Sequence, residues 1–368
     1  MDFLSDGLRT VISFIVVLGV LVFVHEMGHY LAARWRGVHV EVFSIGFGKV
    51  IRSWTDRVGT EWRLSWLPLG GFVKLHGQEG LDATPEQKAR WLHGRTFHDK
   101  PVRDRAIVVA AGPIANFLLA ALLFAGLYMT MGQPLPSATV GAVVEGSAAA
   151  QAGLQPGDRI LALDGQEVAR FEDVQRHIQA RPGQPVELRI NRAGDEQRLT
   201  ATPTARESDG RAVGILGVTG GAPEFRRLDP FSALAAGVVQ TWDIGAQTIA
   251  GIWEMITGSR GTEDLGGPLR IAQLSGQVAQ LGIPSLITFI AVLSVNLGLI
   301  NLFPIPVLDG GHLLFYAAEA VRGRPLPARA MEYGFRAGIA VLVALFVFTT
   351  WNDITRLAIF GWVARLFG

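Results

Sequence analysis

Four apolar stretches, near residues 8–32, 106–131, 283–307 and 334–352, constrain this chain more than any other feature of it. A helix needs about 20 residues to cross the hydrocarbon layer of a bilayer, and inside that layer it must satisfy every backbone hydrogen bond itself. The uncharged runs from Ala106 to Gly132 and from Gly282 to Leu308 reach that length unaided. The first and last stretches hold shorter uncharged runs that their flanks extend. With 49% hydrophobic and 18% charged residues in 368, and a mean hydropathy of +0.31, the chain reads as a membrane protein with a soluble part. A net charge of +1 with scattered basic residues argues against a nucleic-acid surface. The chain has no cysteine, so any metal must rest on His, Asp and Glu.

Basic residues set the expected orientation. Arg34 and Arg36 follow the first span, Lys100, Arg103 and Arg105 precede the second, and Arg322, Arg324, Arg329 and Arg336 fill the last connection. These ends are cytoplasmic by the positive-inside rule, which leaves both termini and residues 133 to about 280 outside. Read as a cleaved signal peptide, residues 1–30 fit poorly. Asp2 and Asp6 outweigh Arg9, and the apolar run ends in His25-Glu-Met-Gly-His-Tyr rather than in small residues.

The expected architecture is a polytopic α-helical membrane protein of about four transmembrane helices, with a cytoplasmic-side β-hairpin region and an inserted extracytoplasmic α+β domain. Residues 1–37 form the first span, 38–104 the hairpin and loop region, and 105–132 the second span. Residues 133–222 form the inserted domain, 223–281 an amphipathic helical region on the membrane surface, and 282–312 the third membrane segment. A cytoplasmic loop follows at 313–333, then the fourth span and tail at 334–368. Residues 38–75 alternate in strand fashion, with Arg57–Thr60 as a turn and Pro68-Leu-Gly-Gly as a break. In the inserted domain, Gly146-Ser-Ala-Ala-Ala-Gln-Ala-Gly-Leu-Gln-Pro-Gly-Asp-Arg-Ile followed by Leu163-Asp-Gly-Gln resembles a PDZ domain over about 80 residues. Two roles stay open for it: capture of an extended peptide beside an open strand, or a rigid plug with no ligand.

The first span carries His25-Glu26-Met27-Gly28-His29 at its end. On a helix, residues four apart share a face, so both imidazoles can reach one metal ion. Glu26 stands beside the first of them, placed to take a proton from a water that zinc has acidified to a pKa of about 7. Ionisable residues within an apolar span are costly and mark function. A catalytic zinc takes three protein ligands, and the best candidate for the third is Asp309 in Asn301-Leu-Phe-Pro-Ile-Pro-Val-Leu-Asp-Gly-Gly-His. Pro304 and Pro306 cannot continue a regular helix, so the third segment breaks near membrane depth, where irregular backbone is tolerated only inside protein or beside a wet cavity. His312, three residues further on, is left out of the ligand set. Asn116 in the second span is a weak candidate for a substrate hydrogen bond, with helix packing the better reading.

His25-Glu-Met-Gly-His together with Asn301-Leu-Phe-Pro-Ile-Pro-Val-Leu-Asp-Gly resembles the site-2 protease family of intramembrane metalloproteases, in its bacterial RseP-like branch. The similarity extends through FSIGFG at 43–48, PLGGFVK at 68–74, AGPIAN at 111–116 and SVNLGLINLFPIPVLDGGH at 294–312. It implies Zn2+ held by His25, His29 and Asp309, Glu26 as the catalytic glutamate, and Asn301 in contact with substrate backbone. It also implies a bacterial inner membrane location and substrates with a single transmembrane helix, such as anti-sigma factors or remnant signal peptides already trimmed by a site-1 protease. The lipid bilayer is the remaining partner. One PDZ-like domain stands here where the best-known relative has two. A metal transporter or sensor is the alternative reading, since His and Asp in spans can also line an ion path.

Overall fold

The computed structural model describes residues 2–78, 94–135, 137–208, 211–222, 225–259 and 266–356, with positions 84, 86, 89, 91, 92 and 261. The end of the expected tail and much of 79–93 lie outside these. The chain divides into two compact units, one of Met1–Leu127 with Pro230–Gly368, the other of Tyr128–Asp229.

In the first unit, α1 (Asp2–Trp35) leads into β1 (Val40–Thr55) and β2 (Glu61–Leu75), and α2 (Val102–Thr130) follows. The hairpin turns where expected, with Asp56 Oδ1 accepting the Val58 and Thr60 N–H groups at 2.9 and 3.0 Å. Pro68–Gly71, expected as a break, is instead a crossing point. Before it, Leu64 pairs with Ile45 and Arg52; after it, Gly71 pairs with Ile45 and Val73 with Phe43. The first arm of β1 thus lies between both arms of β2. Among the described residues no strand pairs with the outer edge of 71–75, which runs beside α1.

The second unit is antiparallel sheet with a covering helix. After β3 (Gln133–Pro134) and β4 (Val140–Val143) come α3 (Ala148–Gln151), β5 (Arg159–Leu163), β6 (Gln166–Glu167), α4 (Phe171–Gln179), β7 (Val186–Arg192) and β8 (Asp195–Ala201). The sheet order is β6-β5-β7-β8, and alternate residues Val186, Leu188 and Ile190 point into a core with Leu163, Val174 and Ile178. The unit closes with β9 (Thr204–Ser208), β10 (Arg211–Ile215), β11 (Val218–Gly220) and β12 (Phe225–Arg226).

Back in the first unit, α5 (Pro230–Ile256) and α6 (Pro268–Gln280) precede α7 (Ile283–Asn301), α8 (Asp309–Arg322) and α9 (Ala328–Arg356). Among the described residues, four helices are long and apolar enough to cross a membrane: Asp6–Trp35, Val102–Thr130, Ile283–Asn301 and Ala328–Thr355. Apolar side chains stand exposed on them, among them Leu8, Ile12, Leu118, Leu122, Phe346 and Trp351, as lipid-facing surfaces require. Val17, Leu21 and Ile290 form the buried contact of α1 with α7, and Leu119 and Leu123 of α2 pack against it. Helix α5 runs along its neighbours: Gly237 faces Ala121 and Ala125 of α2, and Thr248 Oγ1 donates to Asn296 Oδ1 of α7 at 2.9 Å. Asp353 of α9 accepts the Gly267 and Arg270 N–H groups at 2.9 and 3.1 Å, supplying the cap that α6 lacks locally.

Candidate metal centre

Helix α7 stops at Asn301, short of the apolar run's end at Leu308. Pro304 and Pro306 withhold the N–H groups that continuation needs. The chain turns through residues 302–308, with Val307 at φ +149°, a conformation β-branched residues avoid, and re-enters a helix at Asp309. Gly310 and Gly311 let α8 start directly against the break. A Cβ on the former would overlap the carbonyls of Leu302 and Phe303, and on the latter that of Ile305. The break therefore delivers Asp309 to one fixed place.

That place is beside His25 and His29. Asp309 Oδ2 lies 3.2 Å from His25 Nε2 and 3.5 Å from His29 Nε2, and the two nitrogens are 3.2 Å apart. Among the described residues these three form the group able to hold a metal ion. Among the described residues, Asp309 Oδ2 has no hydrogen-bond partner, and it is buried. Three lone-pair atoms crowded together, one of them an orphaned carboxylate oxygen, are what a cation neutralises. Ligand atoms about 2.0–2.1 Å from a tetrahedral zinc stand about 3.3 Å apart, and the three edges here bracket that value. The residues fit the ion.

Helix α2 forms the wall behind the imidazoles. His29 Nδ1 is 2.9 Å from the Val108 carbonyl, and His25 Nδ1 is 3.2 Å from Asn116 Nδ2. Gly112 leaves room between these contacts, since a Cβ there would overlap His29 Nε2 and lie 2.9 Å from His25 Cε1. Ion pairs join the elements nearby. Arg36 at the end of α1 pairs with Asp104 of α2, and Arg105 binds Glu319 of α8 at 2.6 Å while covering the Tyr316 ring.

A pocket of about 1100 Å³ opens onto the three donors. Glu26, Phe72, Val73, Asn301 and His312 are among the residues lining it. Val73 of β2 turns its backbone toward the Glu26 carboxylate. Asn301 comes from the last turn of α7. His312 packs its ring at a tilt against Phe335, 5.3 Å between ring centres, and stays outside the converging donors. The contributions of Gly112 and of the Val108 carbonyl were not foreseen from the sequence, although both lie in or beside the Ala-Gly-Pro-Ile-Ala-Asn run at 111–116.

The sequence profile of peptidase family M50 matches residues 13–345, a span that contains every group in this pocket. The chain belongs to peptidase family M50. A chain from Agrobacterium fabrum bearing a zinc metalloprotease name is 47% identical over 94% of this chain and 96% of its own length. Metalloprotease MmpA of Caulobacter vibrioides is 40% identical over 97% of this chain and 98% of its own. The regulator of sigma-E protease RseP of Salmonella typhimurium is 33% identical over 94% and 98%. Among solved structures, the PDZ domain of an SdrC-like protein from Listeria monocytogenes is similar to 22% of this chain and covers 84% of that domain, at 23% identity and a TM-score of 0.20. This M50 peptidase is an intramembrane zinc metalloprotease and a multi-pass membrane protein.

Proposed function

We propose that His25, His29 and Asp309 hold the zinc, that Glu26 is the proton-transferring base, and that the substrates are transmembrane segments of single-span proteins. One observation carries this reading. Three donor atoms 3.2–3.5 Å apart converge in a pocket shared with Glu26, at the end of a helix long and apolar enough to cross a membrane. Bound zinc supplies Lewis acidity toward water and a peptide carbonyl. Glu26 accepts the proton released by the attacking water and returns it to the leaving amine. Asn301 holds a substrate backbone group at the pocket wall.

A transmembrane helix hides its carbonyls in its own hydrogen bonds, so cleavage requires local unwinding and replacement partners. The outer edge of 71–75 offers them as an added strand position, with Phe72 and Val73 already lining the pocket. By the charge bias, the unit at 128–229 lies outside a bacterial inner membrane and the zinc site near the cytoplasmic ends of the spans. That unit excludes substrates with bulky outer domains, so a site-1 protease trims them first. Anti-sigma factors and remnant signal peptides are the substrate classes that suit this scheme.

The test compares membrane proteomes of cells carrying the wild-type chain and Glu26→Gln. Short single-span fragments accumulating in the variant alone identify the substrates. Identical proteomes in cells that express both chains contradict the proposal.

A further inference from the structure

We propose that Asn116 is a positioning residue of the metal centre: its side-chain oxygen accepts the Nδ1–H of His25 and fixes that imidazole with the Nε2 lone pair turned to the metal. The proposal rests on the ligand assignment above. Asn116 is fully buried on α2, with its amide 3.2 Å from His25 Nδ1, and its Oδ1 has no partner among the described residues. A neutral imidazole that gives Nε2 to a metal carries its proton on Nδ1, so the group facing Nδ1 must accept. With Nδ2 turned to Nδ1, two donors meet and the buried Oδ1 is left bare. A half turn of the amide removes the clash of donors and gives the oxygen a proton to accept, since the oxygen and nitrogen ends are equivalent in shape.

The second imidazole supplies a parallel. His29 Nδ1 faces the Val108 carbonyl, a group that only accepts, so His29 carries its proton on Nδ1 and leaves Nε2 free. Val108 and Asn116 stand about two turns apart on α2. One helix face thereby fixes both ligand tautomers. Asn116 is itself held in place. Ser294 Oγ of α7, fully buried, donates to the Asn116 backbone carbonyl at 2.7 Å, and a Cβ on Gly298 would sit 3.4 Å from the Asn116 Cβ. A residue held this closely by α7 can orient a ring; a merely space-filling one needs no amide.

Full-length protein purified with zinc tests this through Asn116→Leu, close in volume but without an acceptor, and Asn116→Asp, which presents oxygen on both branches. Zinc affinity is measured by chelator competition, and ligand geometry by the visible absorption of the cobalt-substituted protein. Asn116→Leu is expected to bind zinc about 10- to 100-fold more weakly, with altered cobalt bands. Asn116→Asp is expected to retain the wild-type affinity and bands. Unchanged zinc affinity in Asn116→Leu overturns the proposal, as does an equal loss in both variants, which marks a packing role. Wild-type zinc retention by His25→Ala overturns instead the ligand assignment beneath it.

Discussion

Oδ2 of Asp309 lies 3.2 Å from Nε2 of His25, buried and without a hydrogen bond of its own. Removing this oxygen takes away one of the three converging donor atoms and leaves Glu26 as the carboxylate facing the imidazoles. Asp309→Ala is expected to lower zinc affinity beyond the roughly 100-fold that loss of an outer partner costs. Metal analysis after dialysis checks it, with full occupancy as the contrary result.

Gly112→Ala separates helix stability from the metal site. Alanine favours a helix by about 1 kcal/mol over glycine. Here its Cβ would strike His29 and lie 2.9 Å from a carbon of the His25 ring. Helical content by circular dichroism is expected to hold while zinc binding and cleavage are lost.

The second unit has its own acid-sensitive pair. Asp158 is 1% exposed and accepts from Arg192 at 2.7 and 2.8 Å and from the Gln155 N–H at 2.8 Å. Burial alone would raise this carboxyl, but the Arg192 and Gln155 hydrogen bonds outweigh it and hold it below the usual carboxylate range. Its pKa is thus lower folded than unfolded. The stabilisation is full above the unfolded carboxylate pKa of about 4 and is lost as pH falls through the folded value. Asp158→Asn is expected to destabilise the unit by about 2–3 kcal/mol at pH 7, the partly exposed Arg192 regaining water, and to flatten the acid limb. Hydrogen exchange along Val186–Arg192 reads both effects.

Deleting residues 138–218 tests the proposed filter. The shortened chain is expected to cleave substrates whose outer domains have not been trimmed, as seen in gel shifts of a tagged substrate. Continued rejection of untrimmed substrate excludes steric filtering by this unit.

Much of the metal centre was legible because its parts are local. His25, Glu26 and His29 share a helix face by spacing alone, and Pro304 and Pro306 announce a broken span before Asp309. The exact end was not legible, since apolarity marks depth and not hydrogen bonding: the helix stops at Asn301, before the first of these prolines, although the apolar run continues to Leu308. The partners behind the imidazoles were hidden for another reason. Asn116 meets His25, and Val108 meets His29, across a long stretch of sequence that no periodicity connects. The crossing at Pro68–Gly71 was equally invisible, because alternation reports strand faces and not which neighbour each arm takes.

The most direct test measures zinc content and cleavage together in purified Glu26→Gln with a transmembrane peptide substrate. The variant and the wild type are both expected to hold one zinc per chain, and the variant to cleave at least about 100-fold more slowly. Cleavage at the wild-type rate by the zinc-loaded variant would contradict the assignment of Glu26 as the base beside His25, His29 and Asp309.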